Sequence, residues 1–251
     1  MAAIKYKKFF NLDAVIKSIE AYLPGFDKKR FLSAFNFAEK AHKDQFRKDD
    51  KTPYIAHPVE TVKILTTLHA DEDTLISALL HDVPEDTKHD LQEIRALFGD
   101  KIAFLIDGVT KLSKVHYQHN MPERQVESLK KLLLHSAEDI RVILIKLADR
   151  MHNMQTLDNI KEPEKRLRIA TETLEIYVPL ANLLAIRELK SKMEDLCFKH
   201  IAPVQYKELQ EKMQRNEKKR EANAENFIAT ITGVLKKEGI NTVLINPNIA
   251  T

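Results

Sequence analysis

Six consecutive residues, His81-Asp82-Val83-Pro84-Glu85-Asp86, place an imidazole beside three carboxylates. They follow an apolar run, Thr74-Leu75-Ile76-Ser77-Ala78-Leu79-Leu80, in which Leu75, Ile76, Leu79 and Leu80 share one face of a helix. A core has no use for that many anions, because desolvating each is costly unless a cation compensates. A divalent metal is such a cation. His57 and Asp149 extend the set, so that His57, His81, Asp82 and Asp149 offer two imidazoles and two carboxylates from three separated helices. Mixed nitrogen and oxygen ligation without cysteine suits Mn²⁺, Fe²⁺, Zn²⁺ or Mg²⁺, and the carboxylate share leans toward the harder ions. Four protein ligands on a six-coordinate ion leave positions for water and a phosphate oxygen, the requirement of metal-assisted phosphoester hydrolysis. Glu85 and Asp86 lie one turn further on, where a general base for the attacking water belongs. Arg47 and Lys48 supply positive charge for phosphates or a stacking plane for a base.

Singly, each of these residues has an ordinary explanation. A second His-Asp pair, His89-Asp90, lies in a polar turn, so the dipeptide alone carries little weight. A histidine before a proline, as at His57-Pro58, is often structural, and Asp149 beside Arg150 reads as a salt-bridged helix residue. Glu85 and Asp86 suit the acidic start of a new helix. Asn153 and Thr156 suit local backbone bonding. One common site explains all of them together.

The elements that must position these groups read as helices. Residues 12–23 and 28–44 are amphipathic, the second through Phe31, Leu32, Phe35, Ala38 and Ala41. A charged loop, Phe46 to Tyr54, leads to Ile55-Ala56-His57-Pro58, and Pro58 suits the first turn of a helix reaching about Leu68. Asp71 or Asp73 is the expected cap of the central helix, and Pro84 is expected to stop or kink it. Gly99 should close a helix over 91–98, and another should run through Ile106. The segment 108–123 reads as an irregular exposed loop and 124–136 as an amphipathic helix. The apolar stretch Ile140–Ala148 could be strand or helix by density alone. It continues without a breaker to Leu157, which favours a helix carrying Asp149, Asn153 and Thr156 on one polar face. Residues 164–200 read as two helices, and Pro203 opens a long charged helix to Lys237 whose Lys207–Arg220 run is a solvated face. Ile240–Ile245 is the one convincing strand-like run.

Composition narrows the class. Of 251 residues, 43% are hydrophobic and 31% charged, the balance of a soluble globular chain with ample core. Only 5 Gly are present, which argues for a mainly α chain over sandwiches and doubly wound folds. A net charge of +3 gives no reason to expect nucleic acid or membrane as a partner. Cys197 is the single cysteine, which excludes an intrachain disulfide and fits a reducing cytosol. With no signal-peptide core or span-length apolar window, the expected location is cytoplasmic.

The motifs resemble those of the Rel/Spo family, the bifunctional RelA/SpoT homologues that make and destroy guanosine tetra- and pentaphosphate. The resemblance rests on Phe46-Arg47-Lys48 with Pro53-Tyr54-Ile55-Ala56-His57-Pro58, on Ala78 through Thr87, and on Lys146-Leu147-Ala148-Asp149-Arg150-Met151-His152-Asn153-Met154-Gln155-Thr156-Leu157. Tyr177-Val178-Pro179-Leu180-Ala181 and Met193-Glu194-Asp195-Leu196-Cys197-Phe198-Lys199 continue it. It implies an all-α, HD-domain helical bundle holding Mn²⁺ through His57, His81, Asp82 and Asp149. Glu85 and Asp86 would prepare the water that removes the 3′-pyrophosphate, giving GDP or GTP. Arg47 and Lys48 would contact the guanine, Asn153 and Thr156 the ribose and phosphates, and Tyr54 belongs to the same substrate-binding set. The resemblance also implies a hydrolase domain over 1–200. Residues 201–251 would be a linker helix and a short strand-like tail that begins a truncated synthetase-like domain, with regulatory C-terminal domains beyond.

The sequence departs from the family at four places. Asp49-Asp50-Lys51-Thr52 replaces a shorter, Gly-containing turn; Gln155 stands where Arg is usual; Asn182-Leu183-Leu184-Ala185 replaces an Arg-Leu-Gly pattern; and Asn246-Pro247-Asn248 replaces a Gly-Arg start. The last makes synthesis by this chain unexpected, so it is expected to be a piece of a longer protein or a hydrolase-only member. Two competing readings are an HD phosphohydrolase acting on another nucleotide, such as NADPH, and an alarmone-binding module without turnover.

Overall fold

The structure, a computed structural model, describes Tyr6, residues 8–113 and residues 139–239, of which 215–226 are described by backbone alone. Among these residues no strand forms. The one extended pairing is an isolated antiparallel bridge between Phe46 and Pro53. The chain divides into two compact units, Met1–Ile201 and Ala202–Thr251.

The first unit is built from helices α1 (Leu12–Tyr22), α2 (Lys28–Ala41), α3 (Ala56–Thr67), α4 (Glu72–Leu80), a short turn of helix α5 (Val83–Asp86), α6 (Leu91–Phe98) and α7 (Asp100–Ser113). After the next described residues come α8 (Arg141–Gln155), α9 (Pro163–Glu172), α10 (Val178–Leu183) and α11 (Arg187–Ile201). Short polar side chains start several of them: Asn11, Asp27, Asp71 and Asp90 each accept a backbone N–H from the first turn that follows. Asp71 is therefore the cap of α4. Asp73 instead receives Arg30 Nη1 at 2.8 Å.

The central helix is more deeply placed than its pattern implied. One greasy face was expected of α4, yet every residue from Thr74 to Leu80 is buried, with α2, α3, α7 and α8 packed around it. Its polar groups are satisfied locally. Thr74 Oγ1 donates to Asp71 Oδ1 and Ser77 Oγ donates to the Asp73 carbonyl, both at 2.7 Å. The helix ends at Leu80, ahead of Pro84, because Pro84 has no N–H to give to the Leu80 carbonyl. Pro84 then sits in the first turn of α5, where that missing donor costs nothing. This break swings His81 and Asp82 out of the core helix at its rigid end.

One expectation requires correction. Residues 108–113 are not loop: α7 continues to Ser113. Gly108 is there because α8 comes close, and a Cβ at that position would lie 2.8 Å from Val142 Cγ2. The segment read as two helices over 164–200 does hold two runs, because α9 passes through a π turn into α10 without a break and α11 follows. Pro179 cannot complete the ladder, and a π turn over Thr173–Tyr177 widens the helix so that the Val178 N–H reaches the Thr173 carbonyl. The remainder of the expected loop, residues 114–123, the helix over 124–136 and the strand over 240–245 lie outside the described residues. The stretch 141–155 is helix, as its continuity with the polar face required.

The second unit contains α12 (Pro203–Lys237), with Pro203 in its first turn and Gly239 at φ 81° beyond its end. No helix among the described residues is long and apolar enough to cross a membrane.

Candidate metal centre and adjoining cleft

Three elements converge on one point. The first turn of α3 supplies His57, the end of α4 supplies His81 and Asp82, and the middle of α8 supplies Asp149. One ligand atom from each of His57, His81 and Asp149 lies within 4.8 Å of the others, and all three residues are buried. The Asp82 carboxylate reaches the same place, with Oδ1 3.1 Å from His81 Nε2 and Oδ2 3.5 Å from His57 Nε2.

The chemistry of this donor set fits a cation. His81 Nδ1 lies 2.9 Å from the Ala78 carbonyl, which can only accept, so Nδ1 carries the proton and Nε2 presents a bare lone pair. That Nε2 is buried without a hydrogen-bond partner. A lone pair 3.1 Å from a carboxylate oxygen is repulsive unless something positive lies between them. Burial pushes the His57 imidazole below its ordinary pKa despite Asp149 and Asp82, which keeps it in the neutral form that ligates. Burial alone would raise the Asp149 carboxyl. The Lys146 ammonium, 2.8 Å from Oδ2, outweighs that effect and holds Asp149 well below the usual carboxylate range. Asn153 Nδ2 donates to Asp149 Oδ1 at 2.5 Å.

The proposed water-activating residues occupy α5. Both are exposed, and Glu85 makes no hydrogen bond or ion pair among the described residues. Asp86 is held. Its carboxylate Oδ2 lies 2.8 Å from the Tyr54 hydroxyl, which also lies 2.7 Å from Asp82 Oδ2. Burial, then the neighbouring Asp82, raises the Tyr54 pKa, so the phenol keeps its proton and shares it between two carboxylates. Tyr54, expected among the substrate-binding residues, thus sits on the metal side. Gln45 Nε2 donates to the Asp86 carbonyl at 2.7 Å, which turns Gln45 Oε1 toward His42 Nδ1 at the same distance. The His42 ring in turn stacks on Tyr54 with centroids 4.6 Å apart.

Beside the centre lies a cleft of about 200 Å³ lined by Arg47, Lys48, Lys146, Arg150, Asn153 and Thr156, among others. Arg47 Nη2 donates to Asn153 Oδ1 at 2.9 Å and approaches Thr156 Oγ1 at 3.4 Å, joining the 46–54 loop to α8. Lys48 is exposed. Partial burial, then repulsion from Lys165 and Arg47, lowers its pKa. The unusual turn after Lys48 is organised by Asp49, whose Oδ1 accepts the Thr52 and Lys51 N–H groups, while Asp50 takes φ 55° where a glycine would be at ease. Gln155 is exposed and does not line the cleft.

Sequence reading missed His42, Gln45, Lys146, Arg150 and His152 as parts of this site. Lys146 and His152 stand three residues either side of Asp149, so helical spacing held the signal. Arg150 is bound to Glu172 at 2.7 Å and to the Tyr177 hydroxyl at 3.0 Å, with its guanidinium over the Tyr177 ring that the π turn presents.

The family model described as an HD domain covers residues 34–187, the span holding all four candidate ligands. The chain belongs to the HD-domain family. This HD-domain chain is 42% identical over 231 residues to the bifunctional (p)ppGpp synthase/hydrolase SpoT of Escherichia coli, covering 92% of this chain and 32% of that protein. It is 42% identical over 225 residues to a GTP pyrophosphokinase of Myxococcus xanthus, covering 89% of this chain and 30% of that protein. A probable guanosine-3′,5′-bis(diphosphate) 3′-pyrophosphohydrolase of Synechocystis is 44% identical over 207 residues, covering 82% and 27%. The chain thus spans about a third of the length of the curated relatives it matches. Among solved structures, a metazoan orthologue of SpoT, described as hydrolysing ppGpp, superposes with a TM-score of 0.54 at 26% identity, covering 70% of this chain and 98% of that one.

Proposed function

We propose that this HD-domain chain is a Mn²⁺-dependent (p)ppGpp 3′-pyrophosphohydrolase, releasing pyrophosphate from guanosine tetra- or pentaphosphate to leave GDP or GTP. The observation that carries the reading is the unpartnered, buried His81 Nε2 facing His57, Asp82 and Asp149 next to a cation-lined cleft. Its support is the similarity to proteins named as hydrolases of this substrate.

His57, His81, Asp82 and Asp149 would hold the ion, which supplies Lewis acidity and an acidified water when bound. Glu85 and Asp86 would take the proton of the attacking water as its oxygen bonds to phosphorus and the bond from phosphorus to the ribose 3′-oxygen breaks, that oxygen taking up a proton from solvent. Tyr54 holds the Asp86 carboxylate and Gln45 its backbone carbonyl, which together fix Asp86 in place. Arg47 and Lys48 receive the guanine, while Asn153 and Thr156 meet the ribose and phosphates. Lys146, bound to a ligand carboxylate and lining the cleft, places a fixed positive charge beside the departing anion. Residues 1–200 form the hydrolase domain in this reading, and 201–251 the linker helix leading toward a synthetase-like region. Its single cysteine agrees with a cytoplasmic setting.

The test is pyrophosphate release from guanosine tetraphosphate with Mn²⁺, wild type beside Asp82→Ala and Glu85→Ala. Turnover should vanish with Asp82→Ala together with metal binding. With Glu85→Ala it should fall roughly 10²–10⁴-fold while the metal stays bound. A metal-loaded wild type that releases no pyrophosphate, beside an active reference hydrolase, sinks the proposal.

A further inference from the structure

His57 and His152 lie 95 residues apart in the chain, yet their Nδ1 atoms are 2.6 Å apart and both rings are buried. Two imidazole nitrogens at that distance share one proton, with one ring donating and the other accepting through its lone pair. The far side of His57 decides which. Its Nε2 points at Asp149 Oδ1, 3.2 Å away, and at Asp82 Oδ2, 3.5 Å away. If Nε2 is a ligand, its lone pair is committed there and the ring's single proton sits on Nδ1. His152 must then accept at Nδ1 and carry its own proton on Nε2.

We propose that His152 is a positioning residue that fixes His57 as a metal ligand by accepting the His57 Nδ1–H. This rests on reading the four-residue cluster as a metal centre. Ligating histidines need such a partner, because it sets both the tautomer and the ring orientation. The two imidazoles of this centre obtain it differently. His81 is oriented by the Ala78 carbonyl, which can only accept. His57 is oriented by a second imidazole, which accepts in one tautomer and donates in the other. His152 also stands three residues after Asp149 on α8, so one helix turn supplies both a ligand and the group that aims a ligand from α3.

The experiment measures Mn²⁺ affinity by the electron paramagnetic resonance of free Mn²⁺, in wild type, His152→Leu, His152→Asn and His81→Ala, with the melting temperature of each metal-free protein. Leucine cannot accept; asparagine Oδ1 reaches the place of Nδ1 and can. Affinity should fall about 10–100-fold in His152→Leu, the range typical of a lost outer-shell partner, and recover most of that loss in His152→Asn. His81→Ala should lose binding outright. ¹⁵N spectra of histidine-labelled wild type loaded with Zn²⁺ should show the proton on His57 Nδ1 and on His152 Nε2. If His152→Leu binds Mn²⁺ like wild type while His81→Ala does not, the inference is overturned and the metal centre stands. If His81→Ala also binds like wild type, both fall. Should His152→Leu fail to fold, the spectrum of the wild type decides, and a proton on His152 Nδ1 in the loaded protein overturns the inference.

Discussion

The metal side and the cleft side of this site are built by different means. On the metal side every candidate ligand comes from a helix or a helix end, and three of the four are buried. Its supporting groups are local or buried: the Ala78 carbonyl, Lys146, Asn153 and His152. On the cleft side the leading cation, Arg47, stands on a loop shaped by one aspartate and touches α8 through two side-chain bonds. The contrast teaches where precision is spent. The candidate ion site is fixed by the core, whereas the cleft side is held by reach.

That contrast is open to tests. The largest effect is expected from His81→Ala, which should abolish Mn²⁺ binding and bring turnover to the uncatalysed background, measured by metal titration and pyrophosphate release. Arg47→Ala should instead raise KM about 10- to 100-fold, the value of a hydrogen bond to a charged group, with Mn²⁺ affinity unchanged. A loss of metal affinity in Arg47→Ala would show that the two sides are not separable. A smaller effect concerns acid. Burial lowers the His42 pKa, so below about pH 6.5 the unfolded chain binds the proton that the folded chain refuses. Stability should therefore fall as pH drops below that value, by at most about 1.4 kcal/mol per pH unit from this group, until the folded form takes the proton. Urea midpoints of metal-free His42→Asn should fall less steeply between pH 7 and 5 than those of wild type. The smallest effect lies away from both sides. Ala185 adopts φ 57°, so Ala185→Gly should gain up to about 1 kcal/mol in urea unfolding and leave turnover alone.

Much of the metal side was legible in the sequence because its residues are strong types at fixed spacings. His81-Asp82 at the end of an apolar run, and Asp149 on a polar helix face, needed only helical periodicity. What escaped was set by contacts across the chain. The pairing of His57 with His152, and of Gln45 with Asp86 over 41 residues, leaves no local trace. Gly108 misled because glycine marks a turn by default, and only the approach of Val142 shows that it serves packing. The contact of the Tyr54 hydroxyl with the Asp82 and Asp86 carboxylates likewise leaves no local trace. A mainly α fold was readable from scarce glycine and helical periods, and the HD-domain bundle from the resemblance of the motifs, although the full burial of α4 was not, since a partly polar helix can be buried once Ser77 and Thr74 bond back to the backbone and cap.

The Arg47 contacts carry one more consequence. Its guanidinium is engaged with Asn153 and Thr156, so these polar groups of the cleft satisfy one another. Association here is therefore an exchange of partners. What selects a ligand is the margin by which its oxygens and ring faces outbid a neutral amide and a hydroxyl already in place. A molecule without anionic or stacking groups gains nothing by the trade.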